Sequence, residues 1–198
     1  MGPRAPGVVL GALRAALADS YERFTPSWAP MRVRRLRWGW QSRFAGEGAT
    51  ANMAARREVC ERLGGFDEQL GVGATFRSCE DNDFCERAIR AGFAVLQDPR
   101  IEVLHWGARA RLDGAADRLR YDYSRGYGAM LMKHARCGDL CAMYRLGWLV
   151  TTQLPLGLID LVSAGGTYTL RRLAHNLRGA ALALGQPLDR KRRLFLAR

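Results

Sequence analysis

A cluster of acidic residues in a basic chain is the feature of the sequence best suited to chemistry. The 198 residues include 31 lysines and arginines against 19 aspartates and glutamates, a formal net charge of +12. Between positions 67 and 86 this balance reverses, and Arg77 is the only base there. The acids in that stretch are Asp67, Glu68, Glu80, Asp81, Asp83 and Glu86. A carboxylate held ionised within hydrogen-bond reach of a hydroxyl group can accept its proton and so act as a general base.

Glu80 and Asp81 lie at the start of a helix that the sequence predicts as far as Ala91. Ser78, followed three residues later by Asp81, has the form of a capping box, and Gly92 ends the helix. The helix dipole and the unpaired N–H groups of the first turn stabilise negative charge. Two interpretations follow: a general base, or the ordinary enrichment of acids at helix starts, which the residue pattern alone favours.

The segments on either side of this helix show helix, turn and strand patterns in alternation. The sequence predicts a helix over residues 54–63, with Asn52 as its N-cap and Gly64 at its left-handed end. Farther along it predicts two short strands, over 93–96 and 101–106, joined by a turn. The predicted helices and strands belong to an α/β protein.

Four segments in this stretch resemble the second half of the family 2 glycosyltransferases, which have the GT-A fold. They are Gly48-Ala-Thr-Ala-Asn52-Met-Ala-Ala-Arg-Arg, Leu63-Gly-Gly-Phe-Asp-Glu68, Cys79-Glu-Asp-Asn-Asp-Phe84, and Asp98-Pro followed by His105. Their order and spacing fit the family over residues 46 to about 106, and a weaker likeness continues through Tyr123-Ser-Arg-Gly-Tyr-Gly-Ala. The resemblance implies a partial, Rossmann-like GT-A domain over 46–110. The residues that follow predict a mostly helical, basic region over 111–198.

The resemblance also implies an activity, the inverting transfer of a sugar from a nucleotide-sugar donor to a hydroxyl group of a glycan or lipid-linked acceptor. Enzymes of this kind serve cell-wall or polysaccharide biosynthesis. By the resemblance, Asp81 is expected to be the catalytic base, and Glu80 to orient the acceptor. Asn52, Asp83 and Arg77 are expected to bind substrate, with Asn52 near the donor sugar.

His105 matches a position where many GT-A enzymes place a histidine near the metal or the diphosphate, and a structural hydrogen bond is the equal alternative. The family implies a divalent cation, Mg²⁺ or Mn²⁺, which offsets the charge of the leaving diphosphate. Its main ligands, a D-x-D-type motif in the nucleotide-binding half, are not found before Gly46, because the acids ahead of Glu47 are Asp19 and Glu22. We therefore expect a truncated or split enzyme, whose donor site comes from a separate half.

Residues 1–45 form a basic lead-in with little periodic pattern. A run without acids extends from Met31 to Ala45 and includes Trp38 and Trp40. Nucleic-acid bases stack on aromatic side chains that alternate with basic ones, and this run is the only place where the sequence has such a mixture. The sequence also has no helix-turn-helix or zinc-finger spacing, so nucleic acid is not a favoured partner. The alternative to a transferase is a non-catalytic fragment or a basic protein that binds an anionic partner.

The C-terminal region combines an apolar stretch with a basic tail. Pro155 and Asp160 interrupt the apolar residues 146–166, which favours a buried or interfacial helix pair over a transmembrane span. The tail, residues 171–198, has eight lysines and arginines against Asp189. This charge suits an anionic membrane surface, and a solvated basic helix is the alternative. Five cysteines without C-x-x-C spacing predict reduced thiols and hence a cytoplasmic protein. Together with the basic tail beside the apolar stretch, this favours a peripheral location at the inner face of the cell membrane.

Overall fold

The computed structural model describes residues 5–17, 23–37, 48–110 and 114–197. The chain divides into two compact units. The sheet unit comprises Met1–Phe66 and Asp81–Ala116, and the helical unit comprises Asp67–Glu80 and Asp117–Arg198. Strands and helices are both present, and the fold is mixed α/β, as the sequence predicts.

Most strands of the described residues belong to the sheet unit. They are β1 (Val8–Ala15), β2 (Arg23–Phe24), β3 (Arg34–Leu36), β4 (Met53–Ala55), β5 (Val95–His105) and β6 (Arg109–Ala110). Four of them form a mixed sheet with the order β3-β5-β1-β4, and β2 pairs with β6 separately. Strand β1 runs parallel to β5, whereas β4 on one side and β3 on the other are antiparallel to their neighbours.

The central strand β1 lies in the segment where the sequence shows little pattern. Its residues from Val8 to Leu13 are buried, apart from the half-buried Val9. A strand that is covered on both faces does not alternate apolar with polar residues, so a search for period-two alternation does not reveal it. Trp38 and Trp40 lie outside the described residues, as do Asp19, Glu22 and most of the basic run.

Strand β5 is continuous where the sequence predicts two short strands and a turn. Its register with β1 jumps, because Gly11 pairs with Asp98 and the next residue, Ala12, pairs with Glu102. Three residues of β5 are therefore extra and form a bulge. The Asp98 carboxylate closes this bulge by accepting hydrogen bonds from the main-chain N of Arg100 at 3.0 Å and from its Nη2 at 2.7 Å. These bonds lower the pKa of Asp98 from 3.8 to about 2.

Helix α1 (Arg57–Leu63) is shorter than the predicted helix, which starts at position 54. Met53–Ala55 pair with β1 as a strand, and the N-cap is Arg56 rather than Asn52, so the predicted N-cap is wrong. The predicted end of the helix is confirmed, since Gly64 has a φ of 71° in the left-handed region.

Helix α2 (Glu80–Arg90) and α1 supply the apolar side chains that cover the sheet. The core consists of Val8, Leu10, Leu36, Val59, Leu63, Phe84, Cys85, Ala88, Ile89 and Val95. Burial of each large apolar side chain stabilises a fold by about 1.5–3 kcal/mol. This cluster therefore fixes the position of the segment that starts at Asp81 within the sheet unit.

Three helices and a hairpin form the helical unit, in agreement with the predicted helical C-terminal region. They are α3 (Ala115–Arg136), α4 (Leu140–Ala164), α5 (Tyr168–Leu184) and the paired β7 (Leu188–Asp189) and β8 (Leu194–Phe195). Helices α3 and α5 approach closely, because a Cβ at Gly128 would lie 1.9 Å from the carbonyl oxygen of Asn176. None of the five cysteines, all within the described residues, forms a disulfide.

Candidate functional site

Asp81 lies in the first turn of α2, with its carboxylate against a 3-10 turn formed by Thr50–Asn52. Its Oδ2 accepts hydrogen bonds from the main-chain N of Thr50 at 3.2 Å and from the Thr50 hydroxyl at 3.3 Å. Its Oδ1 accepts one from the main-chain N of Asn82 at 2.7 Å. The carboxylate that the sequence predicts as the base is therefore fixed in orientation on both oxygens.

Burial is the main influence on the ionisation of Asp81, and it raises the pKa of this carboxyl above the ordinary 3.8. The hydrogen bonds from Asn82 and Thr50 lower the pKa, because they stabilise the charged form, but burial outweighs them. A carboxylate with a raised pKa accepts a proton more readily than an ordinary aspartate. The residue as a whole is of intermediate exposure and is not fully buried.

Asn52 ends the same 3-10 turn, and its side-chain amide spans the sheet at the bulge. Nδ2 donates to the carbonyl oxygens of Ala12 at 2.8 Å and Ile101 at 3.1 Å. A Cβ at Gly11 would lie 2.3 Å from this nitrogen, so the close approach requires glycine there. Asn52 thus ties the turn that holds Asp81 to β1 and β5, and its predicted contact with the donor sugar stays a prediction.

His105 is the last residue of β5, and its ring is held by the segment before β3. Nδ1 lies 2.9 Å from the carbonyl oxygen of Pro26, so Nδ1 carries the proton and donates it. This is the structural hydrogen bond that the sequence leaves as an alternative to a metal or diphosphate contact. The same bond orients the ring and leaves Nε2 as the nitrogen for a ligand.

Asp83 forms a buried ion pair with Arg87. Their side chains are 0% and 1% exposed, and Nε of Arg87 lies 2.7 Å from Oδ2 of Asp83. Arg87 also donates to the carbonyl oxygens of Leu63 at 3.0 Å and Gly65 at 2.8 Å. These contacts bind α2 to the end of α1. The Asp83 side chain is fully buried in this pair, and its predicted contact with substrate stays a prediction.

Arg77 and Glu80 belong to the helical unit. Arg77 pairs with Asp122 at 3.4 Å, and its side chain is 56% exposed. Its φ of 65° and that of Cys79, 74°, lie in the left-handed region that residues other than glycine seldom adopt. The Glu80 carboxyl group packs against main chain, since a Cβ at Gly71 would lie 3.2 Å from its carboxyl carbon.

Ser78 holds this strained segment in place. Its hydroxyl lies 3.1 Å from the carbonyl oxygen of Asp122 and 3.4 Å from that of Tyr123, both in α3. A Cβ at Gly126 would lie 2.0 Å from the Ser78 oxygen, so the contact requires glycine. Residues other than glycine keep a left-handed backbone only where their surroundings hold them, and such positions are frequent at functional sites.

Two contacts are not predicted from the sequence: that of Thr50 with Asp81, and that of Ser78 with α3, since the sequence indicates Ser78 only as a capping residue of α2. The available signals were a threonine inside the segment Gly48-Ala-Thr-Ala-Asn52 and a glycine inside a predicted helix, Gly126. Neither signal identifies its contact, because the partners lie 31 and 44 positions away in the chain.

The arrangement in the sheet unit suits proton abstraction. A partly exposed carboxylate, Asp81, is oriented by Thr50, and Asn52 anchors the same turn. No protein-family model matches the chain, and no curated protein and no solved structure matches it significantly.

Proposed function

We propose that the chain supplies the acceptor side of an inverting family 2 glycosyltransferase, with Asp81 as the catalytic base. Asp81 takes the proton of an acceptor hydroxyl while the hydroxyl oxygen bonds to the anomeric carbon of a nucleotide-sugar. The bond between that carbon and the nucleoside diphosphate breaks, and its electron pair leaves with the diphosphate. A single in-line displacement of this kind inverts the anomeric configuration.

The observation that carries the proposal is the fixed, partly buried carboxylate of Asp81. Hydrogen bonds from Thr50 and Asn82 orient both oxygens, and burial raises the pKa. A base that is oriented before the substrate arrives need not be reoriented during the reaction, which lowers the barrier.

The order of elements in the sheet unit supports a partial GT-A domain as part of the proposal. The segment that resembles the family at Asn52 leads into β4 and α1, and the segment at Asp81 begins α2. The segment at Asp98 lies in β5, which is parallel to the central strand β1. The Rossmann-like character of this domain is proposed on these grounds.

The divalent cation of the family does not fit His105 alone. His105 offers one imidazole nitrogen, Nε2, because Nδ1 binds the carbonyl oxygen of Pro26. Mg²⁺ and Mn²⁺ prefer several oxygen ligands in octahedral geometry. The proposal therefore covers the acceptor side of the reaction, and no step in it passes through a metal.

The test measures release of nucleoside diphosphate from a panel of nucleotide-sugars by purified chain mixed with membranes of the source organism. The membranes supply acceptors and any donor-binding partner. Wild-type chain is expected to raise the release above that of membranes alone, and Asp81→Asn to lower this increment by about 100-fold or more, because a general base contributes that much.

Asp117→Asn is the matched control. The Asp117 side chain is 56% exposed and lies 3.8 Å from Arg120, so its loss is expected to leave the rate unchanged. Circular dichroism of each variant verifies the fold. An undiminished rate in Asp81→Asn would contradict the base assignment, and no increment from wild-type chain would refute the transferase.

A further inference from the structure

Helix α4 is apolar and lies open to the surroundings. Of the described helices, it alone is long and apolar enough to cross a membrane, over Leu140–Ser163, and only 6% of its most apolar window is buried within the structure. A core helix of a soluble protein would be mostly buried, and a signal sequence would lie near the N-terminus. Neither description fits this helix.

The second half of α4, residues 153–163, turns its small and polar residues toward α5. Gln153, Gly157 and Asp160 recur at helical spacing and form one stripe along the helix. This stripe faces α5, because a Cβ at Gly157 would lie 2.6 Å from Leu170, and the Asp160 carboxylate accepts a hydrogen bond from the Thr169 hydroxyl.

The opposite faces of this half carry large apolar side chains. Their exposed fractions run from 43% to 87% for Leu154, Leu156, Leu158, Ile159, Leu161 and Val162. A helix in water turns its apolar stripe toward the protein and its polar face outward. Small and polar residues between helices with apolar residues outside are the pattern of helices in lipid.

The charge of the C-terminal residues favours an anionic cover for this apolar surface. Residues 140–197 contain eight lysines and arginines and two acids, and one of the acids, Asp160, is bonded to Thr169. Arg171 and Arg172 are exposed at the start of α5, next to the apolar half of α4. A second copy of the chain would bring the same positive charge, whereas anionic lipids neutralise it.

The packing of α4 on α5 suits a helix that lies on a membrane surface better than one that spans the bilayer. Leu170 of α5 packs on Gly157 in the middle of the apolar half. A span would therefore draw Arg171 and Arg172 into the hydrocarbon, where charged side chains are strongly disfavoured. At the other end of α4, the stacked Tyr144 and Trp148 are half-exposed aromatic residues of the kind that membrane interfaces favour.

We propose that α4 and the start of α5 form a membrane-surface anchor. The apolar side chains of the second half of α4 insert among the acyl chains of an anionic bilayer. Arg171 and Arg172 bind the lipid phosphates. This inference does not depend on glycosyl transfer, since it concerns only the helical unit and an anionic lipid surface.

Vesicle flotation with purified full-length chain tests the anchor. The chain is expected to float with vesicles of phosphatidylcholine and phosphatidylglycerol and much less with phosphatidylcholine alone. Ile159→Lys with Val162→Lys should weaken partitioning by at least about tenfold, because two apolar side chains lose their burial in lipid. The substitutions add positive charge, so reduced attraction to anionic lipid cannot explain the loss.

A matched pair of single substitutions completes the experiment. Val162 and Val72 are 87% and 90% exposed, and both belong to the helical unit. Val162→Lys should reduce flotation and Val72→Lys should not. Equal effects of the two, equal flotation with both vesicle types, or no flotation at all would overturn the proposal. So would light scattering that shows a dimer which dissociates only in Val162→Lys, since the apolar surface would then join two protein copies.

Discussion

The basicity of Asp81 depends on the side chain of Thr50, at a distance that only the folded chain reveals. The Thr50 hydroxyl donates to Oδ2 at 3.3 Å, and this bond works against the rise in pKa that burial causes. The sequence predicts Asp81 as a candidate base, because its neighbours resemble a known motif. It does not predict the hydrogen bond from Thr50, which forms because a 3-10 turn packs against the start of α2.

Replacement of Thr50 by valine should raise the pKa of Asp81 further. Valine keeps the shape of threonine and removes the hydroxyl, so the carboxylate loses one stabilising bond while its burial persists. Carbon-13 NMR of the aspartate carboxyl groups across a pH titration measures this shift. If Asp81 is the base, the acidic limb of the activity profile should move to higher pH as well, because the protonated form is inactive.

Thr75→Val is the control for this substitution. The Thr75 hydroxyl, like that of Thr50, is exposed, and it donates to the side-chain oxygen of Gln69 at 2.8 Å, which belongs to an amide and not to a carboxylate. The titration of Asp81 should be unchanged in this variant. A lower Asp81 pKa in Thr50→Val would show that the hydroxyl does not stabilise the charged carboxylate.

At the scale of elements, the pairing of β4 with β1 places Asn52 beside β1, and the bulge in β5 brings a second carbonyl oxygen within its reach. Three extra residues displace the carbonyl oxygen of Ile101, and Asn52 bonds to it and to that of Ala12. The sequence predicts the C-terminal ends of both helices well, since Gly64 and Gly92 adopt positive φ. It does not predict that two short strands are one, because a bulge depends on the partner strand.

Gly11→Ala should destabilise the sheet unit by about 1–3 kcal/mol, the usual range for overpacking. The new Cβ would lie 2.3 Å from both Nδ2 of Asn52 and the carbonyl oxygen of Ile101, and the latter cannot move without the strand. Urea unfolding followed by circular dichroism measures the change. The NMR signals of Asn52 should also shift, because its amide must leave the sheet.

Gly147→Ala provides the comparison for Gly11→Ala. Gly147 lies inside α4, and a Cβ there meets no atom within 4 Å. Alanine should therefore stabilise this helix position by about 0.5–1 kcal/mol. If Gly11→Ala leaves the free energy of unfolding as little reduced as Gly147→Ala does, Asn52 does not pack closely against β1.

Over the whole molecule, the contacts that the sequence does not predict are those between residues far apart in the chain. The glycines of the segment Leu63-Gly-Gly-Phe-Asp-Glu68 are typical of a turn, and nothing in its local pattern indicates a partner for Asp67. In the folded chain Asp67 is buried and joins three parts of the helical unit. Its Oδ2 accepts bonds from Lys133 at 2.5 Å and from the main-chain N of Phe195 at 2.9 Å. Separations of 66 and 128 positions leave no local pattern for such a contact.

Lys133→Met should destabilise the helical unit by about 3–5 kcal/mol, because it leaves the buried Asp67 carboxylate without its cation. Both side chains are 0% exposed, so water cannot replace the lost partner. The control is Lys191→Met, the chain's other lysine, which is exposed and should change stability by less than about 0.5 kcal/mol. Denaturant unfolding of the full chain measures the stability of both variants.

Adding Asp67→Asn to Lys133→Met should recover part of the lost stability, since a neutral amide needs no cation. An equal loss in the single and double variants would mean that packing of the Lys133 stem, rather than the ion pair, holds α3 to the loop and the hairpin.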